Sequence, residues 1–255
     1  MPAFAANLTM LFTEAPFMER FALARAAGFQ FVEYLFPYDY PAEQLKAQLD
    51  RHGLRQVLFN LPAGDWGKGD RGIAADPARV AEFRAGVSRA MEYARVLGVV
   101  NLNCLAGKQI AGVEAERQGA TLVENLRFAA RLLGGQGLRL LVEPINHFDM
   151  PGFLLNRTGQ VLEVLDQVGE ANTFLQFDVY HAQREEGELA ATLRGQLHRI
   201  GHIQVADNPG RHQPGTGEIN FPFLFAEMDR LGYPGHVGLE YIPSPDTGSS
   251  FGWMA

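Results

Sequence analysis

The chain has 255 residues, of which 47% are hydrophobic and 20% are charged, and these values are ordinary for a soluble globular enzyme. Its formal net charge of -7 argues against a dedicated nucleic-acid or anionic-membrane binder, because both need a basic face. The single cysteine excludes an intrachain disulfide, and without any membrane-length apolar run or signal-peptide pattern the sequence predicts a soluble cytoplasmic protein.

Short apolar runs with strand character alternate with segments of helical periodicity along the whole chain. We predict strands at 4–10, 29–36, 54–61, 99–105, 138–145, 174–180, 202–206 and 236–241. The helices are predicted between them, at 16–27, 41–52, 76–97, 115–133, 158–168, 188–199 and 221–231. Strands that alternate with helices predict βαβ units and a parallel sheet.

The number of strands and the chain length together favour one α/β fold, the (β/α)8 TIM barrel. A doubly wound sheet is the alternative, but no Gly-x-Gly-x-x-Gly segment follows the first strand. No linker-like stretch divides the chain, so we predict a single domain over 1–255. The longest connections, at 62–75, 106–113, 146–157 and 207–220, all follow strands and are expected at the mouth of an active site.

Polar side chains stand at the ends of the last four predicted strands. Because side chains alternate along a strand, each of these strands has one apolar face and one face with polar residues, which we expect to point into the barrel. The polar faces end in Glu143, Asp178, Gln204 and Glu240. Pro144 favours an extended backbone at Glu143, which suits a buried strand that presents one charge at its end.

Three carboxylates on one rim, with no matching cations on the same strands, would repel each other strongly in a low dielectric. A divalent cation would remove this repulsion, and an all-oxygen set favours a hard ion, Mg²⁺ or Mn²⁺, over Zn²⁺. The alternative is four separate, solvated residues at strand ends. Their occurrence on consecutive strands and on the same face favours the metal site.

The sequence resembles the hydroxypyruvate isomerase family of xylose-isomerase-like TIM barrels, and its close sister group, 2-oxo-tetronate isomerase. The matching segments span nearly the whole chain and lie at 4–12, 35–40, 60–66, 143–149, 177–181 and 215–220. The resemblance implies that Glu143, Asp178, Gln204 and Glu240 are metal ligands. It also implies that Glu143 and Glu240 act as the catalytic acid and base, in an order that the sequence leaves open.

The implied reaction is the isomerisation of hydroxypyruvate to tartronate semialdehyde by proton transfer through an enediolate. The small 2-oxo or hydroxy acid substrate needs cationic or donor partners. His181 and Arg211 resemble substrate-oxygen contacts of related epimerases, although Arg211 is one residue further from its strand than in those relatives. Lys108 and Arg71 lie in loops at the rim and are the other predicted substrate-binding residues.

Several alternatives remain. Segments 4–8 and 58–60 favour a four-carbon 2-oxo acid, as in 2-oxo-tetronate isomerase, whereas segments 103–108 and 146–153 favour hydroxypyruvate. The same barrel supports metal-dependent sugar dehydratases, and also DNA-repair nucleases, which would need clustered histidines and a basic groove. A non-catalytic binding protein would have no reason to converge two glutamates on a metal. We expect a homo-oligomer, because barrels of this kind often pair through exposed faces.

Overall fold

Nine short parallel strands form one sheet in the computed structural model, which describes residues 2–254. The strands are β1 Ala3–Asn7, β2 Phe31–Glu33, β3 Arg55–Gln56, β4 Leu58–Asn60, β5 Asn101–Cys104, β6 Arg139–Val142, β7 Thr173–Asp178, β8 Ile200–Val205 and β9 His236–Leu239. The α-helices are α1 Arg20–Ala26, α2 Ala42–His52, α3 Val80–Leu97, α4 Ala115–Gly134, α5 Thr158–Val168, α6 Val179–Glu185, α7 Leu189–Gln196 and α8 Phe221–Arg230.

The sheet closes on itself through β3 and β4, which are the two halves of one of the eight strand positions, or staves, of the barrel. β3 pairs with β2 and β4 pairs with β5, while β1 pairs with both β2 and β9. Val57 lies between the two halves, and its N–H still donates to the carbonyl oxygen of Val32 at 2.9 Å. The architecture is therefore an eight-stave parallel barrel surrounded by helices, and the TIM-barrel prediction is confirmed.

Two separate apolar regions follow from the alternation of side chains along each strand. In β6, Leu140 and Val142 belong to the large core between the sheet and the helices. Leu141, between them in sequence, instead packs with Ala5 and Leu58 in a small cluster. Inward-facing apolar residues of β1, β4 and β6 thus fill one part of the barrel interior.

Two departures from the predicted helices have a clear local reason. The helix predicted from residue 76 begins at Val80, because the Asp76 carboxylate accepts the N–H of Ala78 and so folds a separate turn before α3. Helix α6 was not predicted, because it follows β7 without a loop and its first residues continue the apolar run of the strand. Asp178 ends the strand and caps this helix, with its carboxylate accepting the N–H of Tyr180 at 2.8 Å.

No helix among residues 2–254 is both long enough and apolar enough to cross a membrane.

Candidate active site

The four predicted rim residues stand on neighbouring staves at the carboxyl ends of the strands. Glu143 follows β6, Asp178 ends β7, Gln204 lies in β8 and Glu240 follows β9. Asp178 and Gln204 are register partners, and so are Gln204 and Gly238, two residues before Glu240. All four rim side chains are buried, with between 0% and 5% of each residue exposed.

Glu143 is held by one of its two carboxylate oxygens. Its Oε2 accepts hydrogen bonds from Asn103 Nδ2 at 2.9 Å and from Gln176 Nε2 at 3.0 Å. Burial, with a smaller contribution from the negative charge of Asp178, raises the pKa of Glu143 to about 8. The side chain is therefore fixed in orientation and can hold or release a proton near neutral pH.

The two oxygens of Asp178 have different partners. Oδ1 accepts from the backbone N–H groups of Tyr180 and His181 and is committed to the start of α6. Oδ2 lies 3.7 Å from His181 Nε2 and 3.5 Å from Arg211 Nη2. Only Oδ2 is directed toward the other functional groups of the rim.

Glu240 is paired with Arg211, whose Nη2 lies 3.1 Å from Glu240 Oε2. Burial raises the pKa of Glu240 well above its ordinary value, although the guanidinium of Arg211 acts in the opposite direction. Burial alone would lower the pKa of Arg211, but Glu240, Asp178 and Glu143 together raise it. Arg211 is thus a permanent cation between two of the rim carboxylates.

Asp207 builds the loop that carries Arg211. Its buried carboxylate accepts four backbone N–H groups at 2.8 to 3.1 Å, from Asn208, Gly215, Gly217 and Ile219. Arg211 has a φ of 57°, a left-handed conformation that costs a non-glycine residue about 1 kcal/mol. The bonds to Asp207, and the N–H of Ile242 that donates to the Arg211 carbonyl at 2.7 Å, hold the chain in this conformation.

Gln204 belongs to a hydrogen-bonded network inside the barrel. Its Nε2 donates to Glu33 Oε1 at 2.8 Å, and its Oε1 accepts from Gln176 Nε2 at 2.6 Å. Glu33 also accepts from Asn7 Nδ2 and is bonded to His202 Nε2 at 2.6 Å. Glu33 therefore fixes the nitrogen end of the Gln204 amide toward itself and leaves the oxygen, the atom that a cation would bind, at the other end.

The predicted substrate-binding residues are divided between two places. His181 is buried beside the rim carboxylates, and one ligand atom from each of Glu143, Asp178 and His181 can be chosen so that all three lie within 4.8 Å of one another. Burial lowers the pKa of His181 to about 3, so the imidazole is neutral. Together with Arg211, His181 is in contact with the carboxylate cluster.

Arg71 and Lys108 lie apart from this cluster, around a small pocket between the loops that follow β4 and β5. The Arg71 guanidinium lies 4.0 Å from the ring of Trp66 and donates to the Trp66 carbonyl. The backbone of Lys108 is bridged to that of Phe153. Within residues 2–254, neither cation forms a hydrogen bond or an ion pair with the four rim residues.

The chemistry of the rim fits a divalent cation. Three buried carboxylates, Glu143, Asp178 and Glu240, share one guanidinium, so the fully ionised site carries excess negative charge. Burial raises the pKa of both glutamates, as expected for carboxylates that lack sufficient positive charge nearby. Carboxylate oxygens, with the amide oxygen of Gln204, are the donors that Mg²⁺ and Mn²⁺ prefer.

Sequence reasoning did not identify two residues that arrange the site without being part of the carboxylate set: Asp207, and Asn146, whose side chain lies 2.6 Å from His181 Nδ1. Asn146 follows Glu143 by three residues and lies inside one of the segments that carry the family resemblance. Asp207 directly precedes an Asn-Pro pair, a sequence typical of a side-chain-bonded turn. Both signals are present, but they do not show which backbone or side-chain groups these residues would bond.

Comparisons with known proteins identify the family of this chain. The family model described as xylose isomerase-like TIM barrel matches residues 21–255. Hydroxypyruvate isomerase of Escherichia coli is 52% identical over 254 residues, covering 100% of this chain and 98% of the relative. A 2-oxo-tetronate isomerase of Cupriavidus necator is 48% identical over 254 residues, with the same coverage of 100% and 98%.

Among solved structures, a Brucella melitensis protein titled AP endonuclease, family 2, has a TM-score of 0.97 and 42% identity, and covers 100% of this chain and 98% of its own. An L-ribulose 3-epimerase has a TM-score of 0.78 and 25% identity, and covers 95% of this chain and 82% of its own. The likeness to the Brucella melitensis protein thus extends over the whole of this chain and nearly the whole of the other.

Proposed function

Because this chain is an isomerase that belongs to the hydroxypyruvate isomerase family of xylose isomerase-like TIM barrels, we propose that it interconverts hydroxypyruvate and tartronate semialdehyde. The observation that carries the proposal is the pair of buried glutamates, Glu143 and Glu240, which stand on either side of Asp178 and both have raised pKa values. Two such carboxyl groups can exchange roles as proton acceptor and proton donor.

The reaction moves one proton between neighbouring carbon atoms. One glutamate, as the carboxylate, removes a proton from C3 of hydroxypyruvate, and the C–H electron pair forms the double bond of an enediolate. The other, as the carboxylic acid, gives a proton to C2, and the hydroxyl proton on the C3 oxygen passes to the C2 oxygen, so that C3 becomes the aldehyde and C2 carries the hydroxyl group. The overall change conserves atoms and electrons.

A cation held by Glu143, Asp178, Gln204 and Glu240 would polarise the substrate carbonyl and so make the C3 protons more acidic. We propose Mg²⁺ or Mn²⁺ for this role. Arg211 would place a permanent positive charge beside the substrate oxygens, and Asn103 and Gln176 keep the Glu143 carboxylate in a fixed orientation while it gains or loses a proton. Among the predicted substrate contacts, His181 and Arg211 are supported by their contact with the carboxylate cluster, and Lys108 and Arg71 remain predicted partners of the substrate carboxylate.

The second candidate function is 2-oxo-tetronate isomerisation, favoured by the 48% identity to the Cupriavidus necator enzyme. It uses the same proton transfer on an acid with one more carbon. A metal-dependent sugar dehydratase would also begin by removing a proton, but would then release water. We also propose that the enzyme acts in the cytoplasm and as a homo-oligomer.

The test is a comparison of substrates with one enzyme preparation. The protein is stripped with EDTA, loaded with Mg²⁺ or Mn²⁺, and assayed with hydroxypyruvate and with four-carbon 2-oxo acids. A higher kcat/KM for hydroxypyruvate supports the proposal, a higher value for the four-carbon acids selects the sister reaction, and a deoxy product identifies a dehydratase. Turnover of none of these compounds by protein that contains metal would overturn the assignment.

Variants of the two glutamates test the roles proposed for them. Glu143→Gln and Glu240→Gln each keep the shape of the side chain and remove its proton-transfer function. Each should lower kcat by at least about a hundredfold, the usual contribution of a general acid or base. Glu163→Gln, on the exposed face of α5, is the matched control and should retain normal activity. Near-normal activity in either of the first two variants would exclude that residue from proton transfer.

A further inference from the structure

The orientation of one buried amide, that of Asn146, is fixed by its surroundings. Asn146 lies in the loop after Glu143 and has no exposed surface. The backbone N–H of Asp149 donates to Asn146 Oδ1 at 2.9 Å, and a backbone N–H can only donate. The other end of the amide is therefore the NH₂ group, which lies 2.6 Å from His181 Nδ1 and 3.2 Å from Asp149 Oδ2.

The carboxylate of Asp149 fixes the same orientation independently. It is paired with Arg184 at 3.2 Å and accepts the hydroxyl of Tyr180 at 2.8 Å. A carboxylate that is paired with a guanidinium and takes a hydroxyl donor acts as an acceptor of hydrogen bonds. The end of Asn146 that faces it must therefore be the donor, in agreement with the bond made by the other end.

This orientation determines where His181 carries its proton. His181 Nδ1 faces the NH₂ group of Asn146 at 2.6 Å and the backbone N–H of Asn146 at 3.5 Å. Both neighbours are donors, so Nδ1 must supply a lone pair and cannot hold a hydrogen. The proton of the neutral ring is then on Nε2, the atom that lies 3.7 Å from Asp178 Oδ2 in the carboxylate cluster.

We propose that Asn146 is a positioning residue that holds His181 as the Nε2–H tautomer, so that His181 donates a hydrogen bond to a substrate oxygen and is not a metal ligand. A protonated ring nitrogen has no lone pair for a cation, so Glu143 and Asp178 are the only members of the close three-residue group that can bind one. A neutral donor fixed in this place stabilises negative charge as it develops on the substrate oxygen. The role of His181 as a donor to the substrate rests on the proposed isomerase function, whereas the assignment of its tautomer does not.

The tautomer can be measured directly by long-range ¹H–¹⁵N NMR of the histidine rings in ¹⁵N-labelled protein without metal or substrate. The chain has 7 histidines, and the signals of His181 are those missing from the spectrum of His181→Gln. We expect an unprotonated Nδ1 and a protonated Nε2 in the wild-type protein. A protonated Nδ1 in the wild type would overturn the proposal.

Substitution of Asn146 tests whether it is the cause. Asn146→Asp replaces the donor by an acceptor, so Nδ1 of His181 should become protonated, and kcat/KM should fall about 10- to 100-fold. Asn156→Asp is the matched control. Asn156 holds the same loop by donating to the Ile145 carbonyl at 2.8 Å, so this variant disturbs the loop but should leave the His181 tautomer unchanged. An unchanged tautomer in Asn146→Asp, or a changed one in Asn156→Asp, would refute the causal role.

The affinity for a metal ion distinguishes a hydrogen-bond donor from a metal ligand at His181. The affinity for Mn²⁺, measured by titration without substrate, should change by less than about threefold in His181→Ala, whereas Asp178→Asn should lose at least about tenfold. Equal losses in the two variants would make His181 a ligand and overturn the proposal. Failure of the wild-type protein to isomerise hydroxypyruvate would count against the proposed function, while the NMR result would still decide the tautomer.

Discussion

Because Glu143 is buried, we predict that its ionisation at alkaline pH lowers the free energy of unfolding of the metal-free enzyme. The pKa of Glu143 is about 8 in the folded chain, against an ordinary value of 4.5. The folded state therefore binds this proton more tightly than the unfolded state does. The stabilising contribution of this bound proton is fully present below pH 4.5 and is lost as the pH rises through about 8.

The size of the effect follows from the two pKa values. At about 1.36 kcal/mol for each pKa unit, the difference between the pKa of Glu143 in the folded chain and its ordinary value corresponds to at most about 5 kcal/mol. Glu143→Gln removes the charge, and its amide oxygen can still accept the hydrogen bonds from Asn103 and Gln176. We therefore expect this variant to be more stable than the wild type by about 2–5 kcal/mol at pH 9 and by much less at pH 5.

Urea unfolding at pH 5 and at pH 9, with EDTA present, measures this difference. Glu163→Gln, an exposed residue of α5, is the control and should follow the wild type at both pH values. A Glu143→Gln variant that is no more stable than the wild type at pH 9 would refute the reasoning. It would mean that the cluster of Glu143, Asp178 and Arg211 already balances its own charge.

Three further predictions concern the loop, the barrel interior and the metal. Asp207→Asn turns two of the four hydrogen bonds to the Asp207 carboxylate into donor–donor contacts, so urea unfolding should show a loss of about 1–3 kcal/mol in the free energy of unfolding. Steady-state kinetics should show a higher KM, because the loop that holds Arg211 is loosened. An unchanged KM would contradict a role of this loop in substrate binding. Gly238→Ala would bring its Cβ into steric conflict with the Glu33 carboxylate, so urea unfolding should show a loss of about 1–3 kcal/mol in the free energy of unfolding. Wild-type stability of this variant would show that the barrel accommodates the methyl group. Addition of Mg²⁺ or Mn²⁺ to EDTA-treated protein at pH 8 should raise its melting temperature, because an ion that binds only the folded state stabilises it; no shift would contradict the metal site.

The barrel could be predicted from sequence because its signals are local. Apolar runs alternate with helical periods, and the period of two along each strand separates the barrel face from the helix face. Leu141 and its neighbours Leu140 and Val142 show this directly, since they lie in different apolar clusters. Helix α6 could not be found in this way, because no turn residue separates it from β7.

Placement of the four rim residues on neighbouring staves follows from the same alternation, but their bonding does not. The sequence cannot show that Gln204 is bonded between Glu33 and Gln176, because these residues are far apart along the chain. Nor does it show that Arg211 is held between Asp178 and Glu240 by a loop in which Asp207 accepts four N–H groups. These contacts depend on the closed barrel, which brings distant segments to one rim.

The most direct test of the central claim is solvent deuterium incorporation during a single incubation with hydroxypyruvate in D₂O. The metal-loaded wild-type enzyme should place deuterium at C3 of the recovered substrate and at C2 of tartronate semialdehyde, as followed by proton NMR. Glu143→Gln and Glu240→Gln should stop the appearance of product. Product formed at the wild-type rate by either variant, or no exchange and no product with metal-loaded wild-type enzyme, would contradict proton transfer by these two glutamates.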